Sequence, residues 1–231
     1  MKRLLTRAIL LGRRASGESN QILTLFTEAR GVIVAIARGI LRSKKRFAGG
    51  LQTFSVYEVT IEERAGSDLA AVGEATLVEA NAGAVADLGR LDRATHVLRI
   101  VRALLPRNQP EPALFDDLVR TLRAVSMGES GSDDVARFEL RALSGAGLEP
   151  ALDRCAVCGK PVPEGRSARF DPDRGGVVCR TDGGGPMGLS AGALRLLASE
   201  GAAGTTDRDS AAARAALDAF LERQTGSSLA K

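Results

Sequence analysis

Three cysteines and one aspartate carry the most specific chemistry in this chain. Cys155-Ala-Val-Cys158 and Cys179-Arg-Thr-Asp182 are two turns of the form ligand-x2-ligand, 20 residues apart, and they use every cysteine of the protein. A C-x2-C turn presents two thiolates from one tight knuckle, and two knuckles close a tetrahedron about zinc. The fourth position is Asp182, an oxygen donor; zinc accepts carboxylates, although closed structural sites mostly use Cys and His. The spacing therefore predicts a zinc-ribbon-like hairpin with Cys155, Cys158, Cys179 and Asp182 as metal ligands. A ribbon without metal, held by Phe170, Val177, Val178 and its turns, stays open as the other reading. No general base or nucleophile accompanies the knuckles, so in either case the unit reads as structural rather than catalytic.

Charge gives the second signal. The chain has a net charge of +4, but residues 1–47 hold eleven Lys or Arg against Glu18 and Glu28, a net +9, and the remainder sums to −5. A solvated face is the ordinary explanation for a single charge cluster; an imbalance of this size in one short unit is the footprint of a surface that binds polyanions. Arg13, Arg14, Arg38, Arg42, Lys44, Lys45 and Arg46 are the candidate phosphate contacts, with Arg99 and Arg102 on a later helix as weaker ones. The chain has no Trp, one Tyr and seven Phe. Stacking on bases therefore has few rings to use, and contacts should go mainly to phosphates, tolerant of sequence and steeply salt-dependent.

The elements that must position these groups follow from periodicity. Residues 1–80 read as a small β-barrel, an OB-fold being the natural candidate for one with a basic face. Short strands are expected at 6–11, 22–26, 32–37, 52–62 and 69–72, with a loop at 12–20, a basic loop at 43–47 and a turn at 65–67. From Asn81 the period becomes helical. One helix is expected from Asn81 to Pro106, a second from Pro112 to Gly128 and a third starting at Ser132, with Val135, Phe138, Leu140 and Leu143 on its apolar face. The knuckle region follows. Ser190 opens a short helix, and Asp209 or Ser210 opens the last. The expected organisation is α+β and multidomain: residues 1–80 an OB-fold barrel, 81–150 and 188–225 an α-helical domain, 151–187 a zinc-ribbon-like insertion, and 226–231 a tail.

Several features carry little. His96 lies among apolar helical residues and reads as a packed histidine rather than a general base. The triple glycine 183–185 lacks the following Lys-Ser or Lys-Thr of a phosphate-binding loop. Asp116-Asp117 and Asp133-Asp134 are expected in first turns of helices, where the dipole accounts for them. Nothing here requires an enzyme. No secretory signal is expected at the start, and three cysteines in knuckles suit a reducing compartment, so a cytoplasmic protein is expected.

The order of parts resembles the RecO family of recombination mediators over nearly the whole chain. The resemblance is carried by the run from Gly17-Glu-Ser-Asn20 to Thr27-Glu-Ala-Arg-Gly31, by Ala37-Arg-Gly39 with the basic loop after it, and by Gly49-Gly-Leu-Gln-Thr-Phe54. It continues through Arg137-Phe-Glu-Leu-Arg141, Gly147-Leu-Glu-Pro150, Cys155-x-x-Cys158-Gly159 and Gly175-Gly176 to Cys179. Asp182 departs from the family's four-cysteine site. The resemblance implies a bacterial, nucleoid-associated, non-catalytic DNA-repair protein that binds single- and double-stranded DNA, anneals complementary strands, and works with RecR, and with RecF, to load RecA onto DNA coated with single-strand-binding protein. An RNA-binding factor of translation or transcription, and a scaffold for an acidic protein, are the competing classes; RNA preference would mark the first, and salt-sensitive protein association without nucleic-acid binding the second.

Overall fold

The computed structural model describes residues 2–47, 49–63, 69–198 and 205–226. The expected turn at 65–67 and residues 227–231 of the expected tail lie outside them. The chain forms two compact units, Met1–Glu129 and Ser130–Lys231.

The first unit opens with β1 (Lys2–Ser16), β2 (Asn20–Thr27) and β3 (Gly31–Ala37), then a helical turn α1 (Lys44–Phe47), then β4 (Val56–Glu63) and β5 (Ala70–Glu79). The strands close a barrel in the order β1-β2-β3-β5-β4, antiparallel except where β3 meets β5 at Ala35↔Ala70 and Ile36↔Ala71. Alternate residues point inward, and Leu10, Leu23, Leu25, Ile33, Tyr57, Val59 and Ile61 fill the interior. The expected loop at 12–20 is mostly strand. β1 passes a register shift between Leu10 and Gly12 and stays paired as far as Ser16↔Asn20. Polar Arg13, Arg14 and Ser16 hide this extension in the sequence, because a strand that leaves the core no longer alternates apolar with polar. β4 starts only at Val56, after Phe54 takes a positive φ of 70°.

Two helices complete this unit: α2 (Leu88–Leu104) and α3 (Pro112–Met127). The expected start at Asn81 is instead a 3-10 turn at Ala82–Val85, and α2 begins at Leu88, where the Asp87 side chain accepts from the Arg90 N–H. A carboxylate in that capping position satisfies an orphan donor, which apolar periodicity does not reveal. Ile9, Phe26 and Val32 stand side by side across β1, β2 and β3, outside the set that fills the interior. Phe26 meets Phe115 of α3 edge-on at 5.3 Å, so these strands are buried on both faces. Between the helices, the Asn108 N–H donates to the Val32 carbonyl. Gly31 has a φ of +66°, and a Cβ there would fall 1.8 Å from the Gln109 carbonyl oxygen. The α2–α3 connection thus packs on backbone that only glycine can offer.

Arg7 of β1 ties the barrel to α3. Its guanidinium donates to both Glu28 oxygens at 2.9 and 2.7 Å and to Asp116 at 2.7 Å, and lies 5.1 Å over the Phe115 ring. Asp116 and Asp117 therefore lie beyond the first turn of α3 and serve ion pairs, to Arg7 and to Arg120, rather than the helix dipole. The Arg7 hydrogen bonds hold the Glu28 carboxyl below its ordinary range. Its contribution is present above the ordinary glutamate range and is lost as pH falls through the depressed value. With roughly a third of each side chain exposed, Arg7→Met is expected to destabilise the unit by about 1–2 kcal/mol near neutral pH. The deficit should shrink toward pH 3, as measured by urea melts at both pH values. An equal deficit at both would exclude the carboxylate as its source.

The second unit contains α4 (Ser132–Gly145), a small sheet of β6 (Ala168–Asp171), β7 (Gly176–Val177) and β8 (Met187–Leu189) in the order β7-β6-β8, then α5 (Ala191–Leu197) and α6 (Asp207–Thr225). α4 is capped from Gly131, whose N–H donates to Asp134 at 2.9 Å. The last helix starts earlier than expected because Thr206 and Asp209 cap it reciprocally. The buried stripe of α4 runs through Val135, Ala136, Phe138, Glu139, Ala142 and Leu143, so Glu139 occupies a core position and Leu140 does not. Burial, reinforced by Asp218 and opposed by Arg214, pushes the Glu139 carboxyl well above the usual range. Phe170 of β6 meets Phe220 of α6 edge-on at 6.4 Å and joins the small sheet to the helices. Among the described residues no helix is long and apolar enough to cross a membrane.

Candidate functional site

Arg38, Arg42, Lys45 and Arg46 stand together at one end of the barrel because three buried apolar anchors hold their loop there, whereas Arg3, Arg7 and Arg30 are paired with Glu62, Glu28 and Glu63 elsewhere on the barrel. Ile40, Phe47 and Leu51 all enter the barrel core. Around these anchors the side chains of Arg38, Arg42, Lys45 and Arg46 are exposed. The loop is latched to the β1–β2 turn: the Gly39 N–H donates to Asn20 Oδ1 at 2.9 Å, the Leu41 N–H to the Ser19 carbonyl at 3.3 Å, and Arg42 pairs with Glu18 at 3.4 Å.

Several cations are tethered to backbone. Arg46 donates to the Arg38 carbonyl at 2.8 Å with its guanidinium 5.0 Å over the Phe47 ring, and Arg13 donates to the Leu51 carbonyl at 3.2 Å. Arg13 and Arg14 are consecutive on β1 and so project to opposite sides. The structure thus links Arg13, Arg38, Arg42 and Arg46 into one set, with Lys45 exposed between them; the side chain of Lys44 lies outside the described residues. On α2, a guanidinium nitrogen of exposed Arg102 lies 3.8 Å from where a Cβ on Gly12 would be, beside the root of the hairpin. Arg99, one turn earlier, is half-buried and already engaged, so it stands apart from the exposed set. Glu18 and Asn20 are the residues that charge counting overlooks. Their signal is positional: they follow Gly17 in a turn, where a short polar side chain can bond backbone.

Every aromatic ring of the chain, seven Phe and Tyr57, is buried. In the first unit Tyr57 uses its hydroxyl to accept the Gln52 N–H at 2.6 Å. The barrel end thus presents guanidinium and ammonium groups without an exposed ring. His96 is likewise buried in α2.

The second cluster is the pair of knuckles. Cys155, Cys158, Cys179 and Asp182 offer donor atoms that all lie within 4.8 Å of one another. The two turns agree in the glycine that follows them and differ in closure, the first bonding across four residues and the second across three. The Gly159 N–H donates to the Cys155 carbonyl at 2.9 Å and the Asp182 N–H to the Cys179 carbonyl at 3.1 Å, and each turn is followed by a glycine at positive φ, Gly159 at 71° and Gly183 at 94°. The Cys158 and Cys179 sulfurs are 3.8 Å apart. A tetrahedron with metal–sulfur bonds of about 2.3 Å has an edge of about 3.8 Å, so this donor set fits a four-coordinate divalent ion. Asp182 lies 2.9 Å from the Cys179 sulfur and 3.3 Å from that of Cys155.

The electrostatics divide the cluster, favouring the charged form of Asp182 and Cys155 and the protonated form of Cys158. Hydrogen bonds from the three thiols, that of Cys158 foremost, hold the Asp182 carboxyl down at about 2. Backbone N–H groups of Cys158 and Cys179 lower the Cys155 thiol. The Cys158 thiol is pushed up to about 12 because its proton serves the Asp182 carboxylate. A cation entering the cluster would replace those shared protons.

Residues 1–81 match the family model described as recombination protein O N terminal, and residues 85–231 match that described as recombination protein O C terminal. A protein named DNA repair protein RecO from Anaeromyxobacter sp. (strain K) is 37% identical over 244 residues, covering 100% of this chain and 94% of its own. Proteins of the same name from Myxococcus xanthus (strain DK1622) and Rubrobacter xylanophilus (strain DSM 9941) are 36% and 35% identical. They cover 79% and 76% of this chain, and 74% and 69% of their own length.

Proposed function

The chain belongs to the recombination protein O family of DNA repair proteins, and from that we propose that it is a recombination mediator whose barrel end grips DNA through phosphates. The observation that carries this reading is the linked set of Arg13, Arg38, Arg42 and Arg46 with Lys45, held outward by the buried anchors Ile40, Phe47 and Leu51. We read the barrel as an OB-fold, which its 1-2-3-5-4 strand order supports.

Cations at this density neutralise repulsion between two phosphate backbones, so complementary strands can approach without ATP. Contacts that read phosphate rather than base edges let two strands slide until they find register. Tethering the Arg13 and Arg46 guanidiniums to backbone carbonyls lowers the entropy lost on binding. Arg102 extends this surface beside the hairpin, Arg14 offers a further cation on the opposite side of β1, and Arg99 contributes less. In this reading the protein works with RecR, and with RecF where it takes part, to load RecA onto DNA coated with single-strand-binding protein.

The second unit has a scaffolding role. Cys155, Cys158, Cys179 and Asp182 would hold a zinc ion, whose chemistry there is to cross-link the two knuckles. The residues themselves supply the preformed turns, and Phe170 carries that order into the helices through Phe220.

Two complementary oligonucleotides, each coated with the cognate single-strand-binding protein, test this function in the absence of ATP. Annealing at least tenfold faster than the uncatalysed rate, fading as salt rises from about 50 to 200 mM, is expected. Binding to bare DNA without any annealing would reduce the protein to a nucleic-acid-binding module.

A further inference from the structure

We propose that Leu41 inserts between bases as an apolar wedge, giving the basic barrel end a nucleobase contact in addition to its phosphate contacts. The inference rests on the reading of that end as the DNA interface.

Leu41 is 60% exposed, yet its neighbour Ile40 is 2% exposed and sits in the barrel core. The backbone enforces this division. The Leu41 N–H is bonded to the Ser19 carbonyl, and the Arg42 and Ser43 N–H groups both return to the Gly39 carbonyl at 3.1 and 2.9 Å. In so tight a turn the side chains of residues 40 and 41 cannot exchange places, so Leu41 stays outward with no retreat into the interior.

Its surroundings are the wrong company for an idle leucine. Arg42 follows it directly, and Arg38, Lys45 and Arg46 are exposed on the same short segment. A polyanion drawn onto these cations brings its sugars and bases over the one large apolar side chain exposed among the described residues of 38–51. Proteins that lean on phosphate contacts often add an apolar side chain, leucine included, which wedges into a base step and partly unstacks it. Rings more commonly play this part on barrels of this kind, but here every ring is buried. The aliphatic side chain of Leu41 is what remains to touch a base. For strand pairing this has a use: a wedge that holds bases unstacked keeps their pairing edges open to a second strand while the cations hold the backbones.

The test uses the full chain and a single-stranded oligodeoxynucleotide carrying 2-aminopurine, whose emission rises when it is unstacked, with fluorescence anisotropy of an end label measured in parallel. The wild-type protein at saturation is expected to raise 2-aminopurine emission at least twofold. Leu41→Ser should lose most of that rise while its affinity stays within about threefold and its salt dependence is unchanged, because the phosphate contacts remain. Leu41→Met, apolar and unbranched, should restore it. Leu41 is exposed, so both variants should match the wild-type melting curve.

Equal emission with Leu41→Ser and wild type, or no rise with either despite tight anisotropy binding, would overturn the wedge and leave the phosphate reading standing. Such a result would also favour a protein partner for Leu41. No anisotropy change with the wild type would remove the interface itself, and the wedge with it.

Discussion

A protein in which Arg38, Arg42, Lys45 and Arg46 are all replaced by glutamate is expected to bind DNA of any sequence at least a hundredfold more weakly at low salt. The plot of log affinity against log salt should flatten by about 3 to 4 for duplex and about 3 for single strands, since each lost phosphate contact removes about 0.9 or 0.7 of slope. The four side chains are exposed, but Arg42 and Arg46 also hold the loop through Glu18 and the Arg38 carbonyl, so a melting curve run in parallel separates lost phosphate contact from a loosened loop. A loss confined to certain sequences would instead point to base-edge readout, which changes specificity more than slope. Unchanged affinity and slope would show that the barrel end is a solvated basic face, and the DNA surface would have to be sought elsewhere on the chain.

The second large effect concerns the knuckles. The purified protein is expected to carry about one zinc per chain by atomic emission. A strong chelator should lower the stability of the Cys155–Asp182 region sharply, because a structural ion's binding energy is folding energy. The chain has no Trp, so circular dichroism and hydrogen exchange are the suitable probes, and protection should be lost first around Val177 and Val178. Cys155→Ser should reproduce the chelator effect. Asp182→Cys should tighten binding by completing the four-thiolate set that zinc prefers.

Binding must also follow pH. Cys158, pushed up to about 12 without metal, still holds its proton at neutral pH, whereas Asp182, down at about 2, does not. Entry of the ion displaces thiol protons, so apparent affinity should fall about tenfold or more per unit as pH drops from 8 to 6. Substoichiometric metal together with a chelator-insensitive ribbon would establish the metal-free alternative, with Phe170, Val177 and Val178 holding the turns through their own burial.

What could be read early and what could not differ for physical reasons visible at single residues. The knuckle spacing located four residues whose donor atoms the fold brings within 4.8 Å of one another, because two-residue turns are local and fix their own geometry. The start of α3 at Pro112 and its end at Gly128 were legible for the same reason: proline at the first helical position and glycine at positive φ act within one turn. α4 was legible only in part. Its apolar period was plain, but the buried stripe takes in Glu139, which no hydrophobic count would place in a core. The upward push on its carboxyl comes from burial and from Asp218, which is distant in sequence.

By itself, then, the amino-acid sequence determined the mixed β-then-α order, the excess of cations before residue 48, the scarcity of rings and the ligand pattern of the knuckles. All of these are properties of composition or of contacts a few residues apart. Tertiary structure alone decided that β1 extends past its bulge to carry Arg13 and Arg14. It also decided that α2 and α3 belong with the barrel through Phe115, Arg7 and Gly31, and that Ile40, Phe47 and Leu51 turn a basic run into a fixed display with Leu41 at its surface. Each of these joins residues far apart along the chain. Such contacts repay their loop-closure entropy only when the whole barrel has formed, so no local pattern records them.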